Sequence, residues 1–198
     1  MKKSAQIVFC LLLAGCAALF GWDIHAPGIL SENFIHTIHP MGQRVALYVD
    51  PKFSQYISKD RGSALSDPQT YHVGEAFLPM LIEGFQQGFE EFIMLEVQPT
   101  QDILKQYAIP HTVAVTLKGF DNIKGKPLNR QVITIETEAV IYDSNLNTLA
   151  KFNSEGSSDA RKVFGKKGGP QVNLNAAAEN NILAIVQFVQ DWLRDHPA

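Results

Sequence analysis

The chain has 198 residues, of which 45% are hydrophobic and 10% aromatic, and its 17 basic residues oppose 20 acidic ones. This composition is typical of one folded domain and excludes a disordered chain. The mildly acidic balance argues against nucleic acid or anionic lipid headgroups as the main partner.

The N-terminus has the three-part layout of a secretory signal. Two lysines precede an apolar run over residues 7–13, and two small residues then lead into Cys16. This run is too short to cross about 30 Å of hydrocarbon. An uncleaved anchor over residues 5–22 is the alternative, but no basic stop-transfer cluster follows it. We therefore expect residues 1–15 to be removed.

The end of the signal resembles the lipobox of bacterial lipoproteins, in the form Leu13-Ala14-Gly15-Cys16. The resemblance implies that Cys16 is acylated and becomes the mature N-terminus. Two or three acyl chains (palmitate and its relatives) would anchor the protein permanently, since each buried methylene contributes about 0.8 kcal/mol. In the sorting rule of Gram-negative lipoproteins, Ala17 implies the outer membrane, with the inner membrane as the alternative.

The two cysteines limit the chemistry of the mature chain. Cys10 would leave with the signal and Cys16 would carry lipid. The mature domain then has neither a free thiol nor a disulfide, so thiol catalysis is excluded and stability comes from packing.

Residues 16–42 are predicted to be the lipidated N-terminus and a tether. Proline and glycine interrupt this segment, and neither helical nor strand periodicity persists in it. Trp22 is expected at the lipid interface, where aromatic residues are favoured. A single periplasm-facing domain is predicted over residues 43–198.

The domain starts with a predicted strand over residues 44–50, followed by a polar loop. Residues 76–94 have a helical apolar stripe, and Pro79 is compatible with a helix only in its first turn, so we expect the helix to start near Phe77. A short strand is predicted over residues 95–98, and one or two helical turns over 101–107.

Three further strands are predicted over residues 112–120, 131–142 and 149–154. The second alternates apolar residues on one face with polar residues on the other, which is typical of an antiparallel sheet with one solvated face. A long amphipathic helix is predicted over residues 174–193, capped by Asn173 or Asn175. The expected fold class is α+β: a two-layer sandwich with a mixed or antiparallel sheet of four to five strands and two long helices on one face.

Gly84 and Gly88 are spaced as a small-x-x-x-small pair on the first helix. The surrounding Glu and Gln residues argue against a membrane helix. We expect the pair to allow close approach of a neighbouring element, which offsets a helix-propensity cost of about 1 kcal/mol per glycine.

Neither a nucleotide site nor a metal site is predicted. The sequence Gly165-Lys166-Lys167-Gly168-Gly169 does not have phosphate-loop spacing. His36 and His39, with Glu32 nearby and His25 upstream, have a metal-like spacing, but a tether holds tetrahedral geometry poorly. We therefore expect no cofactor and no metal.

An enzyme is not predicted either. Glu136 and Glu138 share the outer face of a strand, as solvated surface residues often do, and no Gly-x-Ser-x-Gly elbow occurs. His72 and His111 lie at element boundaries without sequence partners. A deep cleft joining either to a carboxylate would indicate a hydrolase as a further alternative.

The lipobox, the domain size and the element order resemble small periplasm-facing lipoproteins of the α/β type. These include the lipopolysaccharide-transport plug, YajG-type, curli-secretion and cell-wall-synthase activator lipoproteins. The stretch over residues 132–145, a strand followed by a turn, has the closest resemblance. The family resemblance implies a domain that binds another envelope component without a cofactor. Cys16 is the one residue to which the resemblance assigns a role.

The predicted function is a membrane-anchored, non-enzymatic accessory or scaffold for an envelope assembly or transport complex. The expected contact residues are Thr134, Glu136 and Glu138 on the sheet, or Lys166 and Lys167 in the loop over residues 155–172. An exposed strand edge is another surface on which a partner could dock.

The alternative is a carrier that binds a lipid or another apolar ligand between sheet and helices. Its cavity would be lined by aromatic residues, namely Phe77, Phe85, Phe89, Phe92 and Trp192. A closed core favours the scaffold, and an apolar pocket of several hundred Å³ favours the carrier.

Overall fold

A computed structural model describes residues 21–62, 67–125, 130–158 and 169–196. The strands are β1 (Trp22–Ile24), β2 (Met41–Val49), β3 (Ser58–Asp60), β4 (Gln69–Tyr71), β5 (Phe89–Leu95), β6 (His111–Gly125), β7 (Arg130–Asp143) and β8 (Thr148–Ser158). The helices are α1 (Glu32–Thr37), α2 (Pro51–Ser54), α3 (Val73–Gly88), α4 (Gln101–Gln106) and α5 (Pro170–Asp195).

The main sheet has five strands in the order β5-β2-β6-β7-β8. β2 is parallel to both β5 and β6, whereas β6, β7 and β8 are antiparallel neighbours. The strand alternation in β7 places Ile133, Ile135, Ala139 and Ile141 in the core. The predicted mixed sheet is confirmed.

Helices α3 and α5 cover the same face of this sheet and pack against each other, which confirms the α+β two-layer sandwich. Gly84 and Gly88 lie where the two helices meet. A Cβ at Gly84 would approach Ile182 to 2.9 Å, and one at Gly88 would approach Val186 to 2.9 Å. The glycine pair therefore brings α3 close to the side chains of α5, as its spacing predicted.

The N-terminal segment is folded, so the tether prediction is wrong for the described part, residues 21–42. β1 pairs in parallel with β4, and β4 pairs with β3, which forms a second, three-stranded sheet. Phe34 of α1 is completely buried, with Leu30 and Ile38 on either side. These three residues are spaced four apart, as on a helix face, but α1 has only six residues, so the pattern is too short to predict a folded segment.

The helix predicted over residues 76–94 is instead α3 followed directly by β5. Phe89 begins the strand with extended backbone angles and is buried, as it would also be on a helix face. Pro79 lies inside α3, not in its first turn, and both Pro79 and Glu75 are exposed. The carbonyl oxygen that Pro79 leaves without a helical donor belongs to Glu75, where water can reach it.

α5 begins four residues earlier than predicted, with Pro170 in its first turn and Gly169 at the cap position. The capping roles predicted for Asn173 and Asn175 are therefore wrong. Asn173 is buried and donates to the carbonyl oxygen of Gln131 at 3.0 Å. The side chain of Asn175 bonds to the backbone of Ile29.

Asn181 joins α5 to the sheet in the middle of the core. Its amide donates to the carbonyl oxygens of Ile135 at 2.9 Å and Ser154 at 3.1 Å, and it accepts from the hydroxyl of Thr137 at 2.8 Å. Gly156 lies beside it, where a Cβ would overlap the backbone of Ala177 and Asn181. The helix therefore lies directly on the backbone of β8.

Candidate functional site

The predicted contact residues Thr134, Glu136 and Glu138 lie on β7 and face away from α3 and α5. Glu136 is exposed, and Glu138 forms an ion pair with Lys118 at 3.0 Å. Gly119 pairs with Glu136 across the strands and leaves room for its carboxylate. This part of the sheet is a charged, solvated surface, and its ion pair contributes little to stability.

The other part of the same face is covered, so this face is solvated only in part. Leu104 of α4 and Ile109 pack on Ala46 and Leu95 of the sheet, and all four are buried. The prediction of a solvated outer face is wrong there, because α4 and its flanking turns fold across β2 and β5. The open part is formed by β7, β8 and the later half of β6.

Three predicted site residues lie outside the described residues. They are the lipidation site Cys16 and the loop residues Lys166 and Lys167. The phosphate-loop pattern over residues 165–169 lies outside as well, except for Gly169 at the start of α5.

The aromatic residues named for a carrier cavity pack into the core. Phe77, Phe85 and Phe89 are at most 2% exposed, and the rings of Phe85 and Phe89 lie 5.5 Å apart. Phe92 and Trp192 are half-buried against the same core. These five side chains therefore belong to the packed core between sheet and helices.

An open depression of about 600 Å³ lies elsewhere, between the α1–β2 connection and the C-terminal half of α5. Most of its lining is polar, including Gln187, Gln190, Asp191 and Arg194. His39 lines this depression, whereas His72 and His111, the histidines considered for a hydrolase, do not. A polar depression on the surface is not the apolar cavity that a lipid carrier requires.

His25 and His72 form a side-chain cluster that the sequence did not reveal. Their imidazole rings are stacked with centroids 3.9 Å apart and an interplanar angle of 19°. Nδ1 of His25 lies 3.1 Å from Oε2 of Glu75, and Nδ1 of His72 lies 3.4 Å from the same oxygen. Nε2 of His72 lies 3.8 Å from Asp23.

The cluster gathers residues that are about 50 positions apart. His36 and His39, which have the metal-like spacing in the sequence, are exposed and do not belong to it. Within the described residues, the group of His25, His72 and Glu75 is the one whose ligand atoms all lie within 4.8 Å of one another. His25 directly follows β1 and His72 directly follows β4. These strands have only three residues each, so the sequence does not predict that they pair.

His111 lies at the start of β6, beneath the C-terminal part of α5. It is 8% exposed, and its ring meets Trp192 edge-on at 5.6 Å. Among the described residues, Nδ1 of His111 and Oγ1 of Thr112 are the buried side-chain atoms without a hydrogen-bond partner. Burial lowers the pKa of His111 below 6.5, although nearby Asp143 acts in the opposite direction.

Tyr71 is the centre of a polar network that ties the small sheet to the β6–β7 hairpin. Its hydroxyl donates to Gln69 at 2.6 Å and accepts from Gln131, which also donates to Asn122 at 2.7 Å. Burial raises the pKa of Tyr71 to about 12, and the charge of Asp60 adds to the effect. Tyr71 is therefore a neutral, structural hydrogen-bonding group.

No protein-family model matches this sequence, and no curated protein is significantly similar to it. The hypothetical protein CT253 of Chlamydia trachomatis is similar in structure, with 10% identity and a TM-score of 0.48 over 78% of this chain and 100% of that chain. The lipoprotein GNA1162 of Neisseria meningitidis has 9% identity and a TM-score of 0.37 over 77% of this chain and 99% of that one.

The PelC dodecamer of Paraburkholderia phytofirmans has 11% identity and a TM-score of 0.40, over 75% of this chain and 88% of that one. Lipoproteins are thus among the structurally similar proteins. At such identities and TM-scores, the similarities assign neither a family nor an activity to this chain. In the described residues, no helix is long and apolar enough to cross a membrane.

Proposed function

We propose that this chain is a non-enzymatic accessory lipoprotein of the bacterial cell envelope. Acylated Cys16 would hold it on a membrane, and the folded domain would bind another envelope protein. The lipobox-like sequence that ends in Cys16 carries this proposal. Ala17 favours the outer membrane, and the mildly acidic charge argues against a nucleic-acid partner.

The position of β1 brings the domain close to the proposed anchor. β1 begins at Trp22, six residues after Cys16. Even when fully extended, six residues span at most about 20 Å. Trp22 is 61% exposed, and its indole nitrogen donates to Asp67 at 3.1 Å. An exposed tryptophan so close to the acyl chains suits the lipid interface.

The open part of the outer sheet face is the proposed partner surface. The opposite face is covered by α3 and α5, so Thr134, Glu136 and Glu138 lie on the side of the sheet that remains accessible. Its charged residues suit a polar partner surface, which would add specificity through charge complementarity. The core packing of Phe85 and Phe89 supports this function over lipid transport.

Acylation is tested by metabolic labelling with a palmitate analogue and mass spectrometry of the protein purified from membranes. We expect label on wild type and on Cys10→Ala, and none on Cys16→Ala. Density-gradient separation of the two membranes then tests the outer-membrane location. A native chain that keeps its starting methionine and carries no acyl mass would overturn the proposal.

The partner surface is tested by site-specific photo-crosslinking in cells. A photoreactive amino acid replaces Glu136 on the proposed surface or, as a control, Gln86, which is exposed on α3. We expect a reproducible protein adduct at position 136 that is absent at position 86. Adducts at both positions, or with lipid alone, would contradict the assignment of this surface.

A further inference from the structure

We propose that His25, His72 and Glu75 bind a divalent transition-metal ion, with Zn²⁺ as the best fit, and that Asp23 orients His72. Two imidazole nitrogens and one carboxylate are a ligand set that Zn²⁺ uses in proteins, with the remaining position taken by water. This proposal does not depend on the acylation of Cys16. It would join β1, at the start of the described chain, to the first turn of α3.

The parallel pairing of β1 and β4 brings the two histidines together. Ile24 pairs with Tyr71 in register, and both are buried. His25 and His72 are the next residues on the two strands, and the backbone N–H of His72 donates to the carbonyl oxygen of Ile24 at 3.2 Å. Since neighbouring strands lie about 4.8 Å apart, the two rings stack face to face.

Glu75 is held by the helix that starts immediately after His72. The N–H of Gly74 donates to the carbonyl oxygen of Tyr56 at 3.0 Å, which fixes the first turn of α3 to the turn that follows α2. A Cβ on Gly74 would overlap the carbonyl oxygens of Phe53 and Ser54, so the two helices are in direct backbone contact. The backbone positions of the three donor residues are therefore fixed by the ends of secondary-structure elements.

The donor spacing agrees with tetrahedral coordination. With metal–ligand bonds of about 2.0–2.1 Å, the ligand atoms of a tetrahedral Zn²⁺ site are about 3.3 Å apart. Oε2 of Glu75 lies 3.1 Å from Nδ1 of His25 and 3.4 Å from Nδ1 of His72. One ligand atom from each of the three residues lies within 4.8 Å of the other two. Because the two rings are stacked, a shared ion requires one imidazole to rotate until both nitrogens point to it, and the side chain of His25, which is 52% exposed, has room to do so.

Asp23 lies on the outer side of His72, at ion-pair distance and slightly beyond hydrogen-bond distance. A metal-bound histidine usually donates its second ring N–H to a carboxylate, which fixes the tautomer and the ring orientation. With Nδ1 of His72 toward Glu75, its Nε2 faces Asp23 at 3.8 Å. The side chains of Glu75 and Asp23 are 65% and 66% exposed, so an ion can enter and leave freely.

The test is metal titration of the full-length protein, purified in detergent without a polyhistidine tag and stripped with a chelator. We expect wild type to bind one Zn²⁺, and Co²⁺ in its place to show visible absorption bands of histidine coordination. H25Q and E75Q should each weaken Zn²⁺ binding at least a hundredfold, and D23N about tenfold. Zn²⁺ should also raise the Tm of wild type.

The matched control is H36Q, which removes an exposed histidine of α1 outside the cluster and should bind Zn²⁺ like wild type. Circular dichroism of each variant checks that it is folded. If E75Q does not fold, H25Q alone tests the site. The proposal is wrong if wild type binds no Zn²⁺ below about 100 µM. It is also wrong if folded H25Q binds like wild type, because the cluster would then be a surface ion pair only.

Discussion

Asn175 on α5 holds the backbone of Ile29 through both groups of its amide. Its Nδ2 donates to the carbonyl oxygen of Ile29 at 2.8 Å, and its Oδ1 accepts from the N–H of Ile29 at 3.2 Å. One turn further along α5, Glu179 accepts from the N–H and the hydroxyl of Ser31. The last helix thus fixes a segment about 146 residues earlier in the chain.

Replacing Asn175 should loosen this segment before it affects the rest of the fold. We expect Asn175→Ala to lower the free energy of unfolding by about 1–2 kcal/mol, because two exposed hydrogen bonds are lost. Hydrogen exchange should accelerate over residues 22–31 more than in β7. Gln187→Ala, at an exposed position on α5, is the control, and equal exchange in the two variants would contradict the prediction.

The buried amide of Asn181 should contribute more to the free energy of unfolding than the exposed amide of Asn175. We expect Asn181→Leu, which keeps the side-chain volume, to cost about 3 kcal/mol, because the Thr137 hydroxyl and two backbone carbonyls lose their partner without access to water. Urea unfolding at unchanged m-value measures the loss. Adding Thr137→Val should cost less in the Asn181→Leu variant than in wild type, and simple additivity would rule out the coupling.

Gly156 should tolerate no side chain. We expect Gly156→Ala to destabilise the protein by about 3 kcal/mol, because its Cβ would overlap backbone atoms of α5 that cannot move independently. Gly42→Ala is the matched control, since a Cβ there would meet only the flexible side chain of Glu90 at 3.4 Å. Comparable Tm values for the two variants would contradict this account of the α5–β8 contact.

Acidification should destabilise the protein through His111. Burial lowers the pKa of His111 in the folded state, so the unfolded chain binds more protons below pH 6.5. The free energy of unfolding should therefore fall as the pH decreases from 7.5 through 6.5, until the folded-state pKa is reached. The lowered pKa of Asp143, caused first by its side-chain hydrogen bond from Asn147, reduces the stability at much lower pH, as the pH falls through the ordinary carboxyl value of 3.8.

Urea unfolding at pH 7.5 and 5.5 measures this dependence. His111→Gln removes the titrating group, so its free energy of unfolding should change less between the two pH values than that of wild type. His36→Gln, at an exposed position, should keep the wild-type slope. If His111→Gln also keeps that slope, the pH dependence in this range comes from other groups.

The sandwich was predictable because its core elements are long and periodic. Apolar residues alternate through β7 from Ile133 to Ile141, and the buried stripe of α5 repeats over about six turns, from Asn173 to Leu193. Gly84 and Gly88 also marked the contact of α3 with α5. In each case the residue pattern follows directly from burial on one face.

The remaining errors have separate physical causes. Phe89 is buried either as the last turn of a helix or as the first residue of β5, so spacing alone could not separate the two. Pro79 tolerates a helix interior because the carbonyl it leaves unpaired faces solvent. The histidine cluster depends on the register of β1 with β4, which are only three residues long each. Such pairings are decided by tertiary contacts.

The attachment of α5 to the first part of the chain has a consequence for synthesis. Besides Ile29 and Ser31, the helix contacts His39 through Gln190, whose amide also donates to the carbonyl oxygen of Gly88. Contacts between such distant residues form only after the whole chain is available. The domain therefore cannot be completed before its final 26-residue helix has been synthesised.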